Sequence, residues 1–380
     1  MTIKKFAFEV QTRLIKAHGI DLKRSHVHEV LAALLGFASY ASLNSRAALG
    51  QRSRYSPSAP RDIAAAASRA LDLGYAPPSP PIIAALVAEA AEAERLCVVP
   101  LRYLLADLGI ETDSEEWDEL EDHVSDSDSF EDEDRSARDE SAMPSIDLDS
   151  SVLRESLERM ADAGSASAHL ALAQLDEGLD ELEESGINDG RYWFEQQQAG
   201  RALTGVELEW AEDFRRKGEA RSSREEHLRR AAALGSAEAA LILAEEDPTD
   251  ETFELAARVA GDRYADRLGE LALSCGRRDD ARNWFRVAAQ GGDTDAMKTL
   301  ASGLESNLKS AWTWVHLARL LDVDVMAYHA VGEDGYELSP DADDAVPIYA
   351  AGGFELDPLS RHDDEAAKHR ARELYEAIVS

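Results

Sequence analysis

The chain of 380 residues has only two cysteines, Cys97 and Cys275. They are too few and too far apart for a zinc ribbon or a disulfide-rich scaffold. No apolar run approaches the roughly 20 residues of a membrane span. The opening MTIKKFAFEV also lacks the continuous apolar stretch of a secretory signal. Aromatic residues are scarce, at 7%. The motifs GxSxG, GxxxxGK[ST] and GxGxxG after a strand are all missing, which removes the nucleophile elbow, the phosphate loop and the dinucleotide fold. The expectation is a cytoplasmic, non-enzymatic chain with no cofactor, no metal and no membrane partner.

Basic residues are in short supply as well, with 40 Lys and Arg against 75 Asp and Glu, a net charge of -35. The shortage is uneven. Residues 1–54 hold nine basic and three acidic residues, net +6, while residues 111–150 hold eighteen acids against Arg135 and Arg138, net -16. The stretch EDHVSDSDSFEDEDRSARDESAMPS is rich in Ser, Asp and Glu and has too few bulky apolar residues to offset chain entropy. Residues 111–150 therefore read as an acidic disordered linker, either a self-repelling spacer or a mimic that lures a basic partner.

Both flanks are helical by pattern. Ala, Leu, Glu and Arg dominate, and apolar residues recur at three and four positions, as in Val152, Leu153, Leu157 and Met160. Strand signals are confined to residues 322–360, where glycines and prolines surround short runs such as VPIYAAGGFEL, and a last helix is expected from Asp363 to Ile378. The fold class expected is all-α. Residues 1–110 form an N-terminal helical module, and 321–380 a Gly/Pro-rich segment with a small irregular or hairpin cap and a terminal capping helix.

The segments MADAGSASAHLALA (160–173), AAALGSAEAALILA (231–244) and AAQGGDTDAMKTLA (288–301) align. Gly164, Gly235 and Gly292 share one position, Ala168, Ala239 and Ala296 a second, and Leu172, Leu243 and Leu300 a third. Glycine ends one helix in the left-handed conformation, alanine lets the next helix lie close, and leucine fills the seam. A degraded copy ends at Gly200, with Tyr192 and Trp193 where Trp284 and Phe285 precede Gly292 and with Thr204 in place of alanine. A further partial copy has Gly261 and Ala265.

The run Ala281, Trp284, Phe285, Ala288, Ala289, Gly292, Ala296, Leu300 and Ala301 resembles the Sel1-like repeat, a relative of the tetratricopeptide repeat. The resemblance spans residues 151–320. It implies a right-handed superhelix of antiparallel helix pairs whose concave face binds peptides or proteins, and it implies no catalytic residue and no cofactor. Stacked helix pairs build extended surfaces suited to chain recognition. The acidic excess after residue 150 favours a basic partner and repels nucleic acid, or it solvates the outer faces.

At the N-terminus, Phe6, Val10, Leu14 and Ala17 mark one face of a helix over residues 3–18, and Ser25 is positioned to cap a second helix from His26 to Leu35. Ser25, Glu29, Ala32, Gly36, Phe37, Ser39, Tyr40 and Leu43 resemble, less specifically, a small helical module fused to varied domains in bacterial proteins. No activity attaches to it. The +6 charge leaves a second function open, a nucleic-acid-associated regulator in which Lys23 and Arg24 contact phosphate and the acidic linker competes for the same surface. The HVHEVLAALL helix carries Glu29 and no residue suited to reading base edges, which weighs against it. His26 and His28 project about 200° apart on a helix and cannot share a metal. Cys97 lies between Leu96 and Val98 and Cys275 follows Leu273 and Ser274, and both read as small packed residues.

Overall fold

The computed structural model describes residues 1–54, 56, 61–110, 145–181, 190–331, 349–351 and 353–380. Contacts divide the chain into two units, Met1–Leu234 and Gly235–Ser380. That boundary falls inside the range expected to be a single repeat array. The described residues are mostly helical, and none of their helices is long and apolar enough to cross a membrane.

In the first unit, α1 (Ile3–His18) buries Ile3, Phe6, Ala7, Val10 and Leu14, and its end is set by Gly19 in the left-handed region at φ 64°. Ala17, expected on that face, is exposed. The next helix, α2 (Arg24–Leu34), starts two residues before the expected position. Lys23 stands at its N-cap without a side-chain bond, so Ser25 does not cap it. Then follow α3 (Tyr40–Arg46), β1 (Ala47–Gln51), α4 (Ile63–Asp72), α5 (Ser79–Ala93), β2 (Leu96–Pro100) and α6 (Leu101–Asp107).

The antiparallel pair β1 and β2 corrects the all-α expectation for residues 1–110. AALGQ and LCVVP are short apolar runs without a polar alternation, so their pairing is set by neighbours rather than by pattern. At Gly50 a Cβ would come within 2.8 Å of Val99 Cγ2, so the close pairing excludes a side chain there.

Past residue 150 the chain packs back onto this module. α7 (Ser151–Asp162) contributes Val152 to the core of α1, α2 and α5. The Ser156 hydroxyl accepts from the Leu49 N–H at 2.9 Å, and Glu155 Oε2 accepts from the Ile3 N–H at 2.9 Å. The Asp147 N–H donates to the Gln51 carbonyl at 2.9 Å, and Arg52 bridges to Ile146. Residues 145–150 are thus ordered against β1 rather than part of a linker; the rest of that expectation, residues 111–144, lies outside the described residues. The unit closes with α8 (Ala166–Glu181), α9 (Arg191–Gln198) and α10 (Val206–Ala233).

The second unit holds α11 (Ala237–Glu246), α12 (Asp250–Ala260), a 3₁₀ turn (Gly261–Tyr264), α13 (Ala265–Ser274), α14 (Arg278–Gln290) and α15 (Thr294–Thr299) with a π turn (Leu300–Leu304). It ends with α16 (Leu308–Leu320), β3 (His329–Val331), β4 (Tyr349–Ala351) and α17 (Arg361–Val379). Neighbours pack as α11 with α12, α13 with α14 and α16 with α17. Arginines tie successive pairs. Arg267 on α13 meets Glu238 at 2.7 Å and Glu245 at 2.9 Å on α11, while Arg277 meets Glu254 on α12 at 2.6 Å and lies 4.3 Å from the Phe253 ring centre. Part of the acidic excess is thereby spent between helices. β3 and β4 pair antiparallel, and the residues between them, where most of the Gly/Pro cap was expected, lie outside the described residues. α17 begins slightly earlier than expected, with the Ser360 hydroxyl accepting from the Asp363 N–H at 3.1 Å.

Candidate functional site

The aligned repeat residues occupy turns and cores. Gly164, Gly235 and Gly292 have φ of 92°, 99° and 100°, each between two helices, and Ala168, Ala239, Ala296, Leu172, Leu243 and Leu300 are buried. In the strongest copy Ala281, Phe285 and Ala289 are buried, while Trp284 and Ala288 are half-buried. None of these side chains is free for chemistry.

The degraded copy differs. Gly200 keeps φ 88°, but α9 buries none of its residues, and in the first half of α10 only Ala211 is buried. Tyr192, at the position of Trp284, is 54% exposed, and Trp193, at the position of buried Phe285, is half-buried. The short helix is held on α10 by ring contacts. Trp193 lies 6.4 Å from Trp210, Phe194 lies 5.5 Å from Phe214, and Tyr192 meets Trp193 edge-on at 5.0 Å. The Arg201 guanidinium stands 5.2 Å over Trp193. Approach at the start of α9 is close, since a Cβ on Gly190 would fall 2.2 Å from the Trp210 carbonyl oxygen. In a chain with few aromatics, five gather on one hairpin and none is fully covered. Trp, Tyr and Arg at an exposed patch are the residues that dominate protein-binding hot spots, because they offer large rigid area at low entropy cost. The solvent side of α10 is neutralised locally by pairs such as Arg215 with Glu219 at 2.8 Å and Arg216 with Asp213.

The second half of α10 packs along α8 and carries a polar cluster that sequence reasoning missed. His169 Nδ1 on α8 and His227 Nδ1 on α10 are 2.9 Å apart, so one nitrogen donates and the other accepts. His169 is 4% exposed. Burial lowers its pKa, and the charges of His227 and Arg230 push the same way. Burial also lowers that of His227, against the pull of Asp176. Asp176 is itself buried and accepts from Arg154 Nη2 at 2.7 Å. Folded imidazoles held below the usual value of 6.5 bind fewer protons than unfolded ones. Their contribution is complete above that value and is lost as pH falls through the folded pKa values. Urea midpoints should therefore drop between about pH 7 and pH 5, and His227→Gln should flatten that slope. An unchanged slope would exclude the pair as its source. Only the turn of α8 against α10 joins these residues, and nothing in the spacing of 169 and 227 signals it.

Lys23 is exposed at the start of α2, and Arg24 lies over Phe8 at 5.1 Å. His26 Nδ1 meets the Tyr75 hydroxyl at 2.9 Å while His28 stacks on Tyr40 at 4.8 Å, so the two diverge. Cys97 is buried, and burial pushes its thiol up to about 11, which leaves it protonated and unreactive. Among the described residues no group of three or more His, Cys, Asp or Glu could hold a metal ion. Comparison with protein-family models, with curated proteins and with solved structures found no match to the chain.

Proposed function

We propose that this protein is a non-enzymatic interaction scaffold built from Sel1-like helix pairs, and that it docks a protein or peptide partner on the aromatic hairpin of α9 and α10. The observation that carries the reading is the contrast between two copies of one repeat. Where Phe285 closes a core, Trp193 is only partly covered and Tyr192 is exposed. A solvent-facing aromatic cluster costs free energy unless something covers it. The acidic stretch at residues 111–144 acts in this reading as a spacer, and the β3–β4 pair with α17 as a cap.

A photo-crosslinking residue placed at Tyr192 in the full chain, expressed in its host, tests this. A discrete protein adduct is expected there, with none from the same residue at Leu71, an exposed apolar position on α4. Equal or absent labelling at the two positions would remove the hairpin from consideration.

A further inference from the structure

One exposed surface has no part in the hairpin reading. α1 turns Ile3, Phe6, Ala7, Val10 and Leu14 inward, yet on its opposite side Phe8 is 50% and Ile15 is 46% exposed. Seven residues apart on a helix, these two side chains project within about 20° of one another and about 10 Å apart along the axis. Lys4 and Lys5 lie at one end of this stripe and Lys16 at the other, all exposed. Arg24 at the start of α2 joins them, its Nε donating to Gln11 Oε1 at 3.2 Å, and the exposed Lys23 precedes it in the chain. Arg13 points elsewhere and pairs with Glu89 at 2.7 Å. Acids nearby are Glu9, 4.0 Å from Lys5, and Asp21. Exposed cations on and beside α1 thus accompany two apolar side chains that are about half exposed, in a chain whose net charge is -35.

The partner must be anionic and must also take up protruding apolar groups. Nucleic acid meets the first condition only, because its phosphates would press charge against the apolar Phe8 and Ile15. A folded protein would need a groove to receive a convex ridge. An anionic bilayer meets both conditions, since apolar tips enter the interface while lysine stems reach to headgroup phosphates.

We propose that the exposed face of α1, with Phe8, Ile15, Lys4, Lys5, Lys16, Lys23 and Arg24, seats the protein peripherally on a lipid surface rich in anionic headgroups. No spanning helix is needed. Negative charge elsewhere in the chain is screened beyond about 8 Å at physiological salt. The assignment departs from the expectation of no membrane partner and is independent of the hairpin.

The test is co-sedimentation of the full-length protein with vesicles of phosphatidylcholine alone or with about 30% phosphatidylglycerol. Binding is expected only with the anionic lipid, and should weaken by about tenfold or more when salt is raised from about 0.1 M to 0.5 M. Phe8→Ser combined with Ile15→Ser should weaken it by about tenfold. Both side chains are about half in solvent, and an unchanged circular dichroism melt confirms that the fold survives. Failure to bind anionic vesicles at low salt overturns the proposal, as does undiminished binding by the double variant. So does tighter binding to a short DNA duplex that ignores the double substitution.

Discussion

Phe285→Ala is expected to destabilise the second unit by about 3 to 5 kcal/mol, whereas Trp193→Ala, the same repeat position in the first unit, should cost only about 1 kcal/mol. Phe285 is 4% exposed, and α13 packs so tightly on it that a Cβ at Gly269 would lie 2.9 Å from the ring. Truncation there leaves a cavity that the flanking helices cannot close without shifting. Trp193 is already partly in solvent, so its removal deletes ring contacts with Trp210 and Tyr192 but opens no enclosed void. Urea unfolding of the two variants, followed by circular dichroism, measures both. Equal losses would mean that the α9 aromatics serve the fold and would weaken the scaffold reading. A large loss at Phe285 with a small one at Trp193 leaves partner binding as the work of the latter.

Glu305→Ala should cost about 3 kcal/mol at neutral pH. The Glu305 side chain is 1% exposed and follows the π turn of Leu300–Leu304. Its carboxylate accepts from Arg286 Nε at 2.8 Å and Nη2 at 2.7 Å, and from Trp314 Nε1 at 3.0 Å. One side chain therefore links α14 to α16. Burial alone would raise its pKa; the hydrogen bonds from Arg286 and Trp314 and the nearby Arg282 outweigh burial and hold it below the ordinary value. A lowered folded pKa means that this stabilisation is present above the unfolded carboxylate value and is lost as pH falls through the folded one. Wild type should accordingly lose stability below about pH 4.5 by more than Glu305→Ala does. Glu305→Gln, which keeps an acceptor for Trp314 but loses the charge, should fall between the two. If wild type and Glu305→Ala had parallel stability curves in acid, the carboxylate would not be the group responsible.

The repeat was legible because its physics is local. A glycine with positive φ, an alanine at the contact and a leucine at the seam recur at fixed spacing, and Gly164, Gly235 and Gly292 adopt the conformation that their spacing implies. α1 and α17 were readable for the same reason, as amphipathic or capped segments with Gly19 and Ser360 at their ends. β1 and β2 were not, because AALGQ and LCVVP become strands only by pairing across more than forty intervening residues. Nor was the start of α2 legible, where Ser25 looked like a cap and Lys23 took the position without a side-chain bond.

The candidate sites show the same division. Tyr192 and Trp193 were visible as repeat residues, but their exposure depends on which helices pack against α9, and sequence spacing does not count neighbours. His169 stood inside an aligned repeat and was passed over, since its partner His227 is reached only through the packing of α8 on α10. Nothing in the sequence marked Phe8 and Ile15; burial of the opposite face of α1 leaves them about half exposed.

By itself the sequence determined that the chain is mostly helical, that it contains a repeated helix, glycine and helix unit, and that its charge changes sign along its length. These follow from periodicity, backbone chirality and composition, which act over a few residues. Only the tertiary structure decided that α7 completes the N-terminal core, that contacts divide at Leu234, and which aromatic, histidine and lysine side chains are covered or left facing solvent. Burial is a property of neighbours brought together by long-range packing, and those neighbours are not written beside the residue they cover.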